Sequence, residues 1–329
     1  MRHHDIFDAV DALLAGVCTG EAVASIETGG SGQALWQALE DSGFTDALVP
    51  EELGGAGLPL EAAYPIALAA GRHVVPAPWV QTLLLRGALG AHGVRAPSGP
   101  LAVASACACA ASVWQAQVPM GRDAAWVIVV VNGQAQAWPT ADARVKGSAV
   151  YGNLDATWHW SAPPATAIDL PPLDWRALAA LACAGLIAGA LERAFEISTR
   201  YANERVQFGK PIAKLQVIQQ QLSVMAEHVF AARMAAQIGF HSSGSVPQDA
   251  CAAVAKQRCS EAVAVCAPIA HAVHGAMGFT AEYQLQRYTR RLHEWRLAYG
   301  GEGHWAQRLG EAFLQGNTHA LDAVRAWTA

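Results

Sequence analysis

Residues Tyr201 to Met225 read YANERVQFGKPIAKLQVIQQQLSVM, and this stretch sets the expected fold on both sides of it. Gly209 and Pro211 interrupt a charged helix, and a second helix is predicted to follow them. Apolar residues then recur at steps of three and four, which is typical of the buried face of a long helix. These residues are Ile212, Leu215, Ile218, Leu222, Met225 and Val229. By pattern alone, the break is a corner between two core helices with solvated charges.

The composition predicts a chain with a large buried core. Its 329 residues are enough for two or three domains, and 53% of them are hydrophobic whereas 15% are charged. We expect some of this apolar surface to be buried against other subunits. The formal net charge of −5 argues against a nucleic-acid partner.

The cysteines and the apolar runs indicate a reducing, cytoplasmic location. The seven cysteines are odd in number and lack CxxC spacing, so the sequence predicts neither a disulfide framework nor a zinc site. The first residues, MRHHDIFDAV, contain no apolar segment typical of a secretory leader. The longest uncharged apolar run, Ala177 to Leu191, has 15 residues, so we expect no membrane span, which needs roughly 20 residues.

Three regions are expected along the chain. Residues 1–98 show helical periodicity and predict an N-terminal helical domain. Residues 99–170 predict a small β-domain, because the β-branched run AAWVIVVVN from Ala124 to Asn132 is closed by Asn132-Gly133, a strong hairpin signal. Gln134 to Trp138 is the expected returning strand. Residues 171–329 predict a C-terminal four-helix bundle.

The bundle helices are predicted from periodicity and from their caps. Asp174 precedes the first helix and is a favourable N-cap. The predicted helices span residues 175–205, 211–241, 246–274 and 305–327. The expected fold class is therefore mainly α with a small β-domain.

Four segments together resemble the acyl-CoA dehydrogenase family. The stretch from Tyr201 to Met225 resembles the flavin-contacting corner of that family, and VPEELGGAGLPL, residues 49–60, resembles a loop of its N-terminal domain. HGAMGFTAEYQLQRYTRRL, residues 274–292, is similar to its second flavin-contacting segment. AYGGEGHWAQRLG, residues 298–310, lies where the family has its catalytic loop. The resemblance implies a helical N-terminal domain, a β middle domain, a four-helix bundle, assembly as a dimer of dimers, and FAD as cofactor.

The resemblance also implies roles for individual residues. Arg205 matches the arginine that reaches the FAD pyrophosphate of a neighbouring subunit, and Phe208 matches the aromatic residue packed against the nucleotide. Gln207 and Gln216 occupy adjoining positions that supply amide contacts. Gly275 matches a glycine where the backbone approaches the cofactor closely.

The catalytic positions of the family are altered in this chain. The family's loop carries a catalytic glutamate after its tyrosine, and here Gly300 follows Tyr299. Some members place the glutamate on the first bundle helix, at a position that corresponds to about Ala179. The nearest carboxylate is Glu302, which is either a shifted catalytic base or a cap of the following helix. Ala272 stands where the family has a glutamine, and the β-domain lacks the family's flavin-holding strands.

With these losses, the chain resembles the companion subunits of α2β2 acyl-CoA dehydrogenases. Those enzymes act on bulky CoA thioesters, as in bacterial steroid degradation. The expected partners are a full-length homologue that supplies the base and the flavin cradle, an acyl-CoA substrate and an electron-transfer acceptor. Two alternatives stay open: a self-sufficient homo-oligomeric dehydrogenase that uses Glu302, and a paralogue without redox activity.

Two further clusters are given structural interpretations. His271, His274, His293 and His304 lack the cysteine or carboxylate spacing of a metal site, so we expect histidines in the core or near the nucleotide. The arginines of residues 287–296 are expected to form a solvated or salt-bridged helical face rather than a phosphate site.

Overall fold

The computed structural model of the chain describes residues 3–110, 113–242, 244–315 and 319–328. Its N-terminal region is helical, in agreement with the predicted fold class. Helix α1 buries Ile6, Val10 and Leu14 on one face, at steps of four residues. The helices before the first strand are α1 His3–Val17, α2 Gly20–Glu27, α3 Gln33–Asp41, α4 Ala63–Arg72 and α5 Trp79–Ala91.

The middle of the chain folds into two four-stranded sheets. Their strands are β1 Leu101–Val103, β2 Ala106–Ala110, β3 Val113–Val118, β4 Trp126–Val131, β5 Gln134–Pro139, β6 Arg144–Gly147, β7 Ala156–Trp160 and β8 Ile168–Asp169. The strand orders are β1-β4-β5-β8 and β2-β3-β7-β6. Strand β1 runs parallel to β4, and the other pairs in the two sheets are antiparallel.

The predicted hairpin is confirmed. Val131 of β4 lies opposite Gln134 of β5 in an antiparallel pair. Asn132 and Gly133 form the two-residue turn with φ of 51° and 81°, the positive values that such a tight turn requires. The tryptophans of this region fill its core: Trp138 and Trp160 are buried with their ring centroids 5.2 Å apart and nearly perpendicular.

The last part of the chain is helical again. Its helices are α6 Trp175–Glu204, α7 Gln216–Phe240, α8 Asp249–His274, α9 Leu285–Leu297, α10 Glu302–Gln315 and α11 Ala320–Thr328. The Asp174 carboxylate accepts the backbone N–H of Ala177 at 2.8 Å, which confirms the predicted cap of α6. Between α6 and α7 lie two short strands, β9 Val206–Gln207 and β10 Lys210–Pro211.

Three helix predictions need correction. The helix predicted at 305–327 is divided into α10 and α11, and residues 316–318 between them lie outside the described part of the chain. Helix α7 begins at Gln216 rather than residue 211, because residues 212–214 form a 3-10 turn after Pro211. Helix α9 is an additional long helix, formed where the sequence predicted only a charged helical face. The domain limits at residues 98 and 170 stay predictions.

Helix α6 is the central element, and α4 packs on it with the two backbones almost in contact. A Cβ atom added to Gly71 would lie 2.1 Å from the Leu186 oxygen, and one added to Gly189 would lie 2.0 Å from the Leu68 oxygen. Only glycine permits this approach. The sequence therefore places a rigid, buried helix directly before the hairpin of residues 205–210, which we name the Tyr201 corner.

Two of these helices are long and apolar enough, by length and composition, to cross a membrane: Trp175–Glu204 and the continuous stretch Asp249–Phe279. Inside the protein, 83% of the most apolar window of the first and 44% of that of the second are buried. A bent pair, His4–Val17 with Gly20–Glu27, passes the same test when taken together. The absence of a membrane span thus stays a prediction.

Candidate functional site

The Tyr201 corner is a tight hairpin at the end of the central helix. Helix α6 ends at Glu204, and Arg205 follows it in an extended conformation. Strands β9 and β10 pair antiparallel, with Gln207 opposite Lys210. The two residues between them, Phe208 and Gly209, have φ of 53° and 74°, so the turn is of the two-residue type. The hairpin holds a short segment rigidly beyond the end of the bundle.

Phe208 is exposed to solvent rather than buried. Its side chain is 87% exposed, although phenylalanine is among the residues most often found in cores. Its positive φ is unfavourable for a bulky residue, by roughly 1–2 kcal/mol. An exposed aromatic ring on a strained, ordered turn fits a residue that contacts another molecule.

The polar side chains predicted to bind the nucleotide are exposed as well: Arg205, Gln207 and Gln216. Within the described residues, no carboxylate pairs with the Arg205 guanidinium. A guanidinium free of a carboxylate is suited to forked hydrogen bonds with phosphate oxygens. The corner therefore fits the diphosphate and one ring of a dinucleotide such as FAD.

The second predicted segment meets the corner at the same end of the bundle. The Tyr201 ring stacks on His274, with centroids 4.4 Å apart, and its hydroxyl donates to the His274 carbonyl at 3.4 Å. Ala202, Ile212 and Val273 form a small apolar cluster beneath them. Gly275 follows α8 with φ of 59° and lies exposed next to the corner. The structure thus brings Arg205, Phe208 and Gly275 to one surface.

The loop at the catalytic position of the family, residues 298–302, is closed. Gly300 has φ of 104°, a backbone conformation that residues other than glycine rarely adopt. A Cβ atom at Gly300 would lie 2.6 Å from Cδ2 of His304, so the His304 ring blocks the position. The Gly300 carbonyl accepts the indole N–H of Trp305 at 3.2 Å. A glutamate here would therefore need a strained backbone and a displaced His304 ring.

Buried hydrogen bonds fix this loop on both sides. The Tyr299 hydroxyl donates to the Val103 carbonyl and accepts from Gln81, both at 2.9 Å, and burial raises the pKa of Tyr299 well above its usual value. The buried Lys256 ammonium donates to the carbonyls of Trp295 and Arg296 at 2.9 and 2.8 Å, at the C-terminus of α9. The other catalytic position, Ala179, is fully buried in α6.

Glu302 is held as a structural carboxylate. It is the first residue of α10, and its oxygens accept hydrogen bonds from the Arg296 guanidinium, from Nε at 3.0 Å and from Nη2. These hydrogen bonds lower the pKa of Glu302 to about 2, which makes it a weak base. Glu302 also lies near Lys256 of α8. Lys256 precedes His274 by 18 residues, which is about 27 Å along the helix at 1.5 Å per residue. The structure does not bring Glu302 to the corner.

A cavity of about 390 Å³ lies between the β-sheets and α9, and the sequence did not predict a site there. Asp155, His293 and Glu294 contribute polar groups to its wall. Met120, a nearby residue with φ of 54°, donates its N–H to Asp155 and accepts the indole N–H of Trp295 on sulfur. These contacts join distant parts of the chain, so no local motif signals them.

Three of the four arginines of α9, Arg290, Arg291 and Arg296, form salt bridges, as one interpretation predicted. Arg290 and Arg291 pair with the buried Glu27 of α2 at 2.8 and 2.9 Å, and Arg291 also pairs with Glu294. Arg291 is itself buried, so this part of α9 ties the N-terminal helices to the bundle instead of facing solvent.

Comparison with known proteins supports the resemblance. Residues 177–304 match the acyl-CoA dehydrogenase C-terminal domain. The acyl-CoA dehydrogenase IpdE2 of Mycolicibacterium smegmatis is 29% identical over 263 residues, which cover 79% of this chain and 81% of that protein. The chain is therefore similar to acyl-CoA dehydrogenases, over its C-terminal helices in the family match and over most of its length in the match to IpdE2.

Two solved structures share the fold over nearly the whole chain. A chain of the ChsE4–ChsE5 complex from Mycobacterium tuberculosis superposes with a TM-score of 0.83 at 21% identity, covering 96% of this chain and 98% of that one. A chain of the Tcur3481–Tcur3483 steroid ACAD variant superposes with a TM-score of 0.81 at 23% identity, covering 95% and 98%. At these identities the likeness establishes the acyl-CoA dehydrogenase fold.

Proposed function

We propose that this chain is the companion subunit of a heteromeric acyl-CoA dehydrogenase that oxidises the α,β-bond of a bulky acyl-CoA thioester. The observation that carries the proposal is the closed Gly300 position, which has no side chain of its own and where φ of 104° and the His304 ring disfavour one. A chain without a base in its own loop performs the reaction only if another chain supplies one.

The exposed corner is the part this chain contributes. FAD, when bound, supplies the hydride acceptor for the dehydrogenation. Arg205 would bind the diphosphate, Phe208 would pack on a nucleotide ring, and Gln207, Gln216 and Gly275 would make polar and backbone contacts. Because these groups point away from the chain's own core, they fit a cofactor held mainly by the partner subunit, in an α2β2 arrangement.

The relatives support the partner and the substrate class. One structural neighbour is described as a ChsE4–ChsE5 complex and the other as a steroid ACAD, and both names agree with two kinds of chain and a bulky acyl group. A soluble electron-transfer acceptor would reoxidise the flavin, and the complex would act in the cytoplasm. Which acyl group is oxidised depends on the partner's pocket.

Co-expression with a full-length acyl-CoA dehydrogenase homologue from the same organism tests this proposal. We expect the lone chain to be colourless and the complex to be yellow and to bleach when a steroid acyl-CoA is added. Stoichiometric flavin and turnover in the lone chain would contradict it and favour the self-sufficient alternative. A complex that forms but never binds flavin would favour the paralogue without redox activity.

The same complex tests whether Glu302 is the catalytic base. Because Glu302 pairs with Arg296 away from the corner, we expect Glu302→Gln to keep the flavin content and turnover of the wild-type complex. Abolished turnover with full flavin content would instead identify Glu302 as the base.

A further inference from the structure

Two histidines in the last turn of α8 support the exposed segment beside the corner. His271 stacks on Phe279, with centroids 4.1 Å apart, and His274 stacks on Tyr201 at 4.4 Å. The segment between His274 and Phe279 is a 3-10 turn whose residues are mostly exposed. The two stacks therefore attach both ends of this turn, which contains Gly275, to the bundle.

Each ring has one nitrogen bonded and one nitrogen buried without a partner. His274 Nδ1 lies 2.7 Å from the Ala270 carbonyl, which makes Nδ1 the protonated nitrogen of the neutral ring. His271 Nε2 lies 2.9 Å from the Thr289 hydroxyl. Within the described residues, His274 Nε2 and His271 Nδ1 are buried and have no hydrogen-bond partner. A proton added to either would be a buried donor without an acceptor, which is costly.

The surroundings that the structure describes favour the neutral form of both rings. His274 faces Tyr201 of α6, Tyr283 of the following loop and His271, while His271 faces Phe279, Thr289 and His293 of α9. In the described part of the chain, no carboxylate forms an ion pair with either ring. Burial lowers the pKa of both, and neighbouring histidines lower it further, while the bond to Ala270 opposes this for His274.

We propose that His271 and His274 form an acid-sensitive latch that holds the Gly275–Phe279 turn in its nucleotide-facing position while both rings are neutral. When the rings take up protons, the stacked arrangement is lost and the turn detaches from the bundle. The functional meaning of the latch rests on the proposed function, because that function makes this turn part of the FAD-facing surface. The complex would then hold its flavin at neutral pH and release it on acidification.

The direction follows from the linkage between protonation and opening. In the open state the rings are solvated and titrate near their ordinary pKa of 6.5, whereas in the closed state the pKa is lower. The latch is therefore fully formed above pH 6.5 and weakens as the pH falls below it. At pH 5.5, protonation favours the open state by up to about tenfold for each histidine.

Hydrogen–deuterium exchange on the lone chain tests the latch without partner or flavin. Corrected for intrinsic rates, residues 272–280 should exchange faster at pH 5.5 than at pH 7.5, by up to about tenfold for each histidine. In the double variant His271→Phe/His274→Phe the difference should vanish, because the phenylalanine rings are aromatic like histidine but do not titrate. His92→Phe is the matched control: His92 Nδ1 lies 2.9 Å from the Ala88 carbonyl, but the ring is exposed at the end of α5.

Equal wild-type exchange at the two pH values would overturn the proposal, and so would a pH response that persists in the double variant. If the double variant does not fold, the wild-type profile alone decides: its midpoint must lie below pH 6.5, and a midpoint at or above that value contradicts the latch. Failure of the proposed function would appear separately, as a complex that binds no flavin at any pH although the latch opens in the lone chain.

Discussion

The corner at Arg205–Lys210 and the loop at residues 298–302 are both turns next to helix ends, yet their environments are opposite. The corner exposes its aromatic ring and its guanidinium, and its strained residue, Phe208, is 87% exposed. The loop has its strained residues, Tyr299 and Gly300, locked by buried hydrogen bonds and by the His304 ring. A strained backbone at an exposed residue points to a binding partner outside the chain. A strained backbone at a buried residue is offset by contacts within the chain.

The largest predicted effect concerns the closed loop. Gly300→Glu restores the residue type of the family's base, and we expect it to lower the free energy of unfolding by about 2–5 kcal/mol. The reasons are the positive φ and the collision of Cβ with His304. Chemical denaturation of the lone chain measures this loss.

Gly301→Glu is the matched control for that variant. A Cβ at Gly301 meets nothing closer than 3.9 Å, and its φ is not in the left-handed region, so a change below about 1 kcal/mol is expected. If Gly300→Glu is as stable as Gly301→Glu, the loop is open and the comparison between the two regions fails.

A smaller effect is expected from the hydrogen bonds that fix the loop. Tyr299→Phe leaves the Val103 carbonyl and the Gln81 amide without their shared partner, which should cost about 1–3 kcal/mol. Tyr151→Phe, at an exposed tyrosine, serves as the control and should be nearly neutral. Equal thermal midpoints for the two variants would show that the Tyr299 hydroxyl does not hold the loop.

At the corner, by contrast, truncation should leave the lone chain stable. Phe208→Gly removes an exposed ring and relieves the positive φ, while glycine adds entropy to the unfolded chain. The two effects nearly cancel, so the free energy of unfolding should change by less than about 1 kcal/mol. A loss of several kcal/mol would mean that Phe208 packs within its own chain, against the exposed arrangement.

The smallest effect is the pH dependence of the Glu302–Arg296 pair. The folded-state pKa of Glu302, about 2, lies below its ordinary value of 4.5. The pair therefore stabilises the fold above pH 4.5, and its contribution is lost as the pH falls toward 2. Relative to wild type, Glu302→Gln should be less stable at pH 7 by up to about 1 kcal/mol and should match it near pH 2. A difference that does not change with pH would contradict this role.

Much of the fold could be predicted because its signals are local. The periodicity after Pro211, the Asp174 cap and the Asn132-Gly133 turn each lie within a few residues, and the structure confirms them. Helix limits were harder to predict: the helix predicted at 305–327 includes His319, which is not helical and has no proline beside it.

The site was predictable only in part, for a physical reason. Motif spacing identified Gly300 as a position without a base, but the φ of 104° and the His304 ring that close it are properties of the folded loop. The pairing of Glu302 with Arg296 and the stacking of His274 on Tyr201 likewise depend on how helices meet. The roles of Arg205, Gln207, Phe208, Gln216, Gly275 and Glu302 stay predictions.

The affinity of the assembled complex for FAD tests the central claim most directly, with Arg205→Ala introduced only in this chain. The account predicts a complex that still assembles but binds FAD at least tenfold more weakly, because a charge-assisted contact with phosphate across the interface is lost. Arg95→Ala, at an exposed arginine of the N-terminal region, should leave the affinity unchanged. Equal FAD affinity in the wild-type and Arg205→Ala complexes would contradict a corner that works across the interface.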